Sequence, residues 1–257
     1  MKTLTSRDGT PIAFTRAGTG HPVIFVAGAF NDHTTCAPLA DRLETDHTVI
    51  GYDRRARGGS GDTKPYAIER EVEDLAALVE EAGGPAAVFG FSSGALLALK
   101  AAADGVPITH LTLYEPPPAD HGEQADLPRR LAELVDQGKP GDAVALFQTD
   151  GIGLPAPVVA QIRESPMFPA LAAIAQSTVY DATITNALAG PTPEMAAVTT
   201  PTLVLSGAET WPALRDAARA LADRLPAATH REVPGGENHG IPPEATAAAI
   251  RDFLRRR

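Results

Sequence analysis

Apolar positions along this chain follow two alternating patterns. Short runs such as Val23-Ile24-Phe25-Val26, Val49-Ile50-Gly51-Tyr52, Ala87-Val88-Phe89 and Leu111-Thr112-Leu113-Tyr114 are nearly continuous in apolar character. Such runs suit strands buried on both faces of a parallel sheet. Between them lie helical stretches: Ala37 to Leu43, Glu69 to Ala82 with Val72, Leu75, Leu78 and Val79 at helical spacing, and Gly94 to Ala103. Strand and helix therefore alternate, which predicts an α/β fold with right-handed crossovers and helices on both faces of the sheet. Sites in such sheets form at the carboxyl ends of the strands. Two shorter strands, Lys2 to Thr5 and Ile12 to Arg16, flank Asp8-Gly9, a pair suited to a tight turn, and predict an antiparallel hairpin at the sheet edge.

The alternation breaks at Pro116-Pro117-Pro118, and the chain to about Thr199 holds helical segments punctuated by prolines without a convincing strand. Strand character returns at Thr202-Leu203-Val204-Leu205, followed by a helix from Pro212 to Leu225, a strand from His230 to Val233 and a last helix ending at Arg257. The expected organisation is a core of residues 1–115 and 200–257, interrupted by a helical cap of residues 116–199.

Composition narrows the function. With 257 residues, 44% of them apolar, the chain can bury the core of one large domain. A formal net charge of −10 opposes binding to phosphate backbones or anionic membranes, so neither nucleic acid nor membrane is an expected partner. The single cysteine, Cys36, forms no internal disulfide, and no histidine and cysteine spacing suggests structural zinc. The N-terminal stretch lacks the apolar core of a signal peptide, and no segment has a membrane-spanning run. The expectation is a soluble, cytoplasmic protein acting on a small molecule; nothing in the sequence sets its oligomeric state.

Gly90-Phe91-Ser92-Ser93-Gly94 lies between a buried strand and an alanine-rich helix. In that context a serine at the apex of a tight turn projects its hydroxyl from the sheet, and the flanking glycines remove Cβ atoms that would strike neighbouring backbone. A serine before a helix is also an ordinary cap, but a cap does not require both glycines. The chain resembles the α/β-hydrolase superfamily, in its cap-bearing branch, over nearly its whole length. The resemblance rests on this motif, on Ala27-Gly28-Ala29, on Tyr52-Asp53-Arg54-Arg55-Ala56-Arg57-Gly58-Gly59-Ser60-Gly61 and on Gly235-Gly236-Glu237-Asn238-His239. Ala27 departs from the histidine usual in the family.

The resemblance implies an α/β-hydrolase fold with Ser92 as nucleophile and, by the chain order serine, acid, histidine, His239 as its base. The backbone N–H groups of Ala29 and Ser93 are the implied oxyanion donors. The acid is open. Many relatives carry it at the position of Thr210, which cannot serve; Glu209 stands one residue early; and Glu115 matches the haloalkane dehalogenases, whose acid ends the strand after the elbow helix. Glu115 is the first choice; Glu209 and a site without a carboxylate are the two alternatives to it. No metal or organic cofactor is implied. The region Asp53 to Arg57 lacks nucleotide-loop spacing and is expected to be structural.

His33 is expected to face substrate or solvent, whereas His21, His47, His110, His121 and His230 are expected at strand edges or in polar loops. Phe30, Phe147, Met167, Phe168, Tyr180 and Trp211 are candidates for an apolar pocket. The implied activity is hydrolysis of an ester, lactone or thioester through an acyl-enzyme. A lyase or cyclase on the same fold, suggested by the missing acid at Thr210, and an inactive ligand-binding protein are the alternatives.

Overall fold

The computed structural model describes residues 1–119 and 125–255. His121 and the chain end at Arg257 lie outside the described residues. Eight strands form one sheet: β1 (Lys2–Thr5), β2 (Pro11–Ala17), β3 (His21–Val26), β4 (His47–Tyr52), β5 (Ala86–Phe91), β6 (Ile108–Tyr114), β7 (Thr202–Gly207) and β8 (Ala228–Val233). Their order is β1-β2-β4-β3-β5-β6-β7-β8. The first two strands pair antiparallel at one edge, β2 joins β4 antiparallel, and all remaining pairings are parallel.

Alternating side chains of the central strands divide between two layers, as a sheet buried on both faces requires. Ile24, Val26, Ile50 and Val88 pack against α2 (Ile68–Glu81), α3 (Ser93–Ala103) and α10 (Pro212–Arg224). Val23, Phe25, Val49 and Phe89 face the other way, toward α1 (Ala37–Leu43) and α11 (Pro243–Leu254). Between β6 and β7 run α4 (Leu127–Asp136), α5 (Pro140–Leu146), a π-helical turn (Phe147–Gly151), α6 (Ala156–Arg163), α7 (Phe168–Ala173), α8 (Ala175–Leu188) and α9 (Pro193–Ala196). These helices have a core of their own, built on Leu127, Leu131, Val144 and Phe147, and Ala29 and Phe30 from the end of β3 pack against it. Among the described residues no helix is long and apolar enough to cross a membrane.

Close approach fixes how β5 enters α3. A Cβ at Gly94 would stand 2.2 Å from the carbonyl oxygen of Val26 and 2.7 Å from that of Ala27, and one at Gly90 would stand 2.6 Å from Cα of Ala95. Gly94 lets the elbow sit directly against the end of β3, and Gly90 lets the start of α3 fold back onto β5. The Gly94→Ala variant should therefore lose at least about 2 kcal/mol of stability by overpacking against backbone. Gly190→Ala, whose added Cβ meets nothing within 4 Å, should stay within about 0.5 kcal/mol of the parent. Chemical denaturation of the two variants compares them directly.

Candidate active site

Chemistry-bearing residues gather where the parallel strands end. Ser92 follows β5 with φ 55° and ψ −124°, backbone geometry that an L-residue adopts only under constraint. The constraint is visible on both sides: Ser92 N–H donates to the carbonyl of Tyr114 at 2.9 Å, and its own carbonyl accepts from Ala95 N–H at 2.9 Å. Six non-glycine residues among those described have positive φ: Phe30, Ala56, Ser92, Glu115, Asn238 and His239. Three of these, Ser92, Asn238 and His239, line one cavity, and Phe30 and Glu115 directly border lining residues, in keeping with the tendency of backbone strain to collect at functional sites.

That cavity has a volume of about 480 Å³. The core supplies Ala29, Phe91, Ser92, Ser93, Trp211 and His239, and the helical segment between β6 and β7 supplies Phe147, Ile152, Leu154 and Thr185. His239 is half-exposed on the short 3₁₀ turn Glu237–His239 after β8. Its ring lies 4.7 Å, centroid to centroid, from Phe91 and 6.1 Å from Trp211, near parallel to the indole at 25°.

Behind it stands Glu115, the residue following β6 and 0% exposed. One carboxylate oxygen, Oε2, lies 2.5 Å from His239 Nδ1, and the other accepts the backbone N–H of Gly207 at 2.8 Å. A carboxylate oxygen accepts, so Nδ1 carries the hydrogen and Nε2 the lone pair. Glu209 is exposed, and its backbone N–H bonds to the carbonyl of Gly235. Thr210 is buried with its hydroxyl unpartnered. Tyr114 completes the support: its phenol donates to the carbonyl of Gly240 at 2.9 Å, just beyond His239. Burial, and then the charge of Glu115, push the Tyr114 phenol well above its ordinary pKa, which keeps it a donor.

The Ser93 side chain points away from the cavity chemistry: its hydroxyl donates to Asp181 Oδ1 at 2.7 Å. The Ala27–Asn31 segment after β3 is pinned by its carbonyls. Ala27 O accepts from Arg54 at 3.2 Å, Gly28 O from Arg57 at 2.6 Å and Ala29 O from the Asn31 amide at 2.5 Å. A Cβ on Gly28 would stand 2.8 Å from Ser92 Cβ, so this loop passes close over the elbow.

Some sequence expectations are corrected. His33 does not line the cavity; its half-exposed ring is turned to the buried Asp53, whose Oδ1 meets its Nδ1 and its backbone N–H at 2.7 and 3.0 Å. Phe147 and Trp211 line the cavity. Phe30 instead packs edge-on against Phe147, Tyr180 stacks on Tyr66 and bonds to Asp62, Met167 is 67% exposed, and Phe168 packs over Gly141. Arg54, Arg55 and Arg57 are buried and structural, paired with Glu71, Asp74, Asp8 and Asp181. Asp181 was not singled out from the sequence, although a charge in the otherwise uncharged stretch from Ala175 to Leu188 signals a buried, partnered group.

Cys36 is no competing nucleophile, because burial pushes its thiol up to about 12. Among the described residues one group, Asp32, His33 and Asp53, brings three possible metal-ligand atoms within 4.8 Å of one another. Asp53 is already engaged there by His33 and by the N–H of Gly59.

A model of the alpha/beta hydrolase family matches residues 18–252. An alpha/beta hydrolase from Sphaerobacter thermophilus is 46% identical and superposes with a TM-score of 0.90, over 98% of this chain and 100% of that one. A thermophilic esterase from Thermogutta terrifontis is 26% identical with a TM-score of 0.77, over 99% and 98% of the two chains. The N-formylmaleamate deformylase of Pseudomonas putida is 31% identical over 140 residues, a stretch spanning 51% of this chain and about half, 52%, of that relative.

The Tyr114 contact gives a test of how the His239 loop is held. Tyr114→Phe leaves the Gly240 carbonyl without its donor and should cost about 1 kcal/mol of stability, measured by chemical denaturation. An unchanged midpoint would mean that the bond does not hold the loop.

Proposed function

The chain belongs to the α/β-hydrolase family, and from that premise we propose that it is a serine esterase acting on an uncharged ester, lactone or thioester. The observation that carries this reading is the Glu115–His239 contact in the wall of the cavity that also contains the strained Ser92. In this mechanism His239 Nε2 takes the proton from the Ser92 hydroxyl as the oxygen attacks the substrate carbonyl. Glu115 fixes the tautomer that leaves Nε2 free and stabilises the imidazolium that forms. The N–H groups of Ala29 and Ser93 hold the negative charge that develops on the carbonyl oxygen. His239 then returns the proton to the leaving alcohol or thiol, and water, deprotonated by the same imidazole, releases the acyl group from Ser92.

The helices between β6 and β7 act as a cap that sets substrate size, since they form one wall of the cavity. The volume lies within the range of about 300–1,000 Å³ usual for small-molecule sites. Among the described lining residues His239 is the one with an ionisable side chain; the other polar ones are Ser, Thr, Asn and the indole of Trp211. A substrate carboxylate would meet no lysine or arginine among these described residues. The buried, unreactive Cys36 is in keeping with action in the cytoplasm. The non-hydrolytic alternative drew on the missing acid at Thr210, and Glu115 supplies a carboxylate from another strand.

Two outcomes test the proposal. A fluorophosphonate probe should place its adduct on Ser92, and Glu115→Gln should lower ester turnover about 10³–10⁴-fold by presenting an amide to the imidazole, while Glu209→Gln stays near the parent. Equal losses in both variants, or no adduct on Ser92, would contradict the assignment. A p-nitrophenyl butyrate should also be preferred in kcat/KM by about 100-fold over the p-nitrophenyl monoester of succinic acid, which brings a charge into the cavity; equal rates would remove the claim of an uncharged substrate.

A further inference from the structure

Two clusters of buried arginine lie side by side in the segment after β4, and only one of them reaches the site. Arg55 is held by Asp8 and Asp74, with Thr10 and Ser6 beside them, and touches no residue of the cavity wall. Arg54 and Arg57 share Asp181 of α8: Arg54 Nη1 meets Oδ1 and Arg57 Nη2 meets Oδ2, both at 2.8 Å. All three side chains are at most 1% exposed. Arg54 is further clasped by both oxygens of Glu71 at 2.7 Å. Burial would raise the Asp181 carboxyl, but Arg57, Arg54 and the Ser93 hydroxyl together hold it below its ordinary value, so it remains a charged anchor.

The remaining N–H groups of these arginines grip the loop over Ser92. Arg57 Nη1 donates to the carbonyl of Gly28 at 2.6 Å and reaches that of Asn31 at 3.4 Å, while Arg54 Nη1 donates to that of Ala27. The Gly28 carbonyl and the Ala29 N–H belong to one planar trans peptide group, so they point in opposite directions. Clamping the oxygen therefore aims the N–H. Asp181 also takes the Ser93 hydroxyl, the side chain of the residue whose N–H is the second donor. Both donors are thus tied to one carboxylate, carried by a helix of the segment between β6 and β7.

We propose that Asp181 and Arg57 are positioning residues for the oxyanion donors: the carboxylate holds the guanidinium, the guanidinium holds the Gly28 carbonyl, and the Ala29 N–H faces the reacting carbonyl oxygen as a result. This rests on the reading of Ser92 as the nucleophile. Donors that must be fixed before charge develops lose their value when they can turn away. Neither Asp181 nor Arg57 meets substrate, so their effect falls on transition-state stabilisation rather than on ground-state binding.

The test compares Asp181→Asn and Arg57→Lys with Asp74→Asn, which strips a similarly buried carboxylate from the neighbouring Arg55 cluster. Each is assayed for p-nitrophenyl butyrate hydrolysis, for thermal midpoint, and for affinity toward two ligands of one alkyl chain. The first is a trifluoromethyl ketone, whose adduct with Ser92 carries an oxyanion, and the second is the corresponding secondary alcohol, which forms none. Asp181→Asn and Arg57→Lys should lower kcat at least 30-fold with KM within threefold, and weaken the ketone by a similar factor while alcohol binding holds. Asp74→Asn should lower the thermal midpoint but keep kcat within threefold. Should Asp181→Asn fail to fold, Arg57→Lys, which keeps the charge but lacks the two-armed geometry, decides the matter by the same readouts. Ketone and alcohol weakening together, or kcat losses equal to that of Asp74→Asn, would overturn the proposal alone. A parent protein inert to esters would instead overturn the reading of Ser92, and this proposal with it.

Discussion

The site depends on how one buried carboxylate is shared. Glu115 is removed from water entirely, and a carboxylate in that position is tolerated only if its oxygens are satisfied. One takes the N–H of Gly207 at the end of β7, the other the imidazole of His239 on the loop after β8. The residue itself continues the sheet, its N–H donating to the Leu205 carbonyl at 2.9 Å. Three consecutive strands of the sheet therefore end on a single side chain. Removing the carboxylate leaves a Gly207 donor and an imidazole N–H in the interior without partners, a cost that extends beyond the chemistry to the packing of the loop.

Around this contact the backbone is bent where function requires it. Ser92, Glu115, Asn238 and His239 all hold positive φ, a conformation side chains resist. The surrounding ladder bonds and the glycine contacts at Gly90 and Gly94 hold these bends in place. On the opposite side of Ser92, the arginines after β4 anchor the loop after β3 through its carbonyls. The imidazole and the loop after β3 are thus held by different means, one by a strand-end carboxylate and one by a guanidinium clamp. The helical segment joins the two halves of the cavity through Asp181 and through Phe147, Ile152 and Leu154 in the wall.

Much of this was legible in the residues. Continuous apolar runs located every central strand, because strands buried on both faces leave no polar alternation to confuse the reading. They were read short at both ends: β5 runs on to Phe91 and β6 begins at Ile108, since ladder pairing continues through Gly90 and His110, which interrupt the apolar runs. The serine motif was distinctive because two glycines and a strand-to-helix junction coincide there. Glu115 ranked first only through resemblance to relatives; no local pattern separates it from Glu209, since a single carboxylate after a strand carries no periodicity. Asp181 and the capture of His33 by Asp53 were missed for one reason. Both are contacts between segments far apart in the chain, set by tertiary approach, and residue type alone does not choose the partner. Met167 and Phe168 were misplaced because apolar character does not say which side of a helix meets the cavity and which meets solvent.

The most direct test of the account is rapid-quench mass spectrometry of the parent protein with a slowly released ester such as p-nitrophenyl pivalate. A covalent acyl group should appear on the Ser92 peptide within the first turnover, at about one per chain, and decay at the steady-state rate. Release of nitrophenol with the Ser92 peptide never acylated would contradict it.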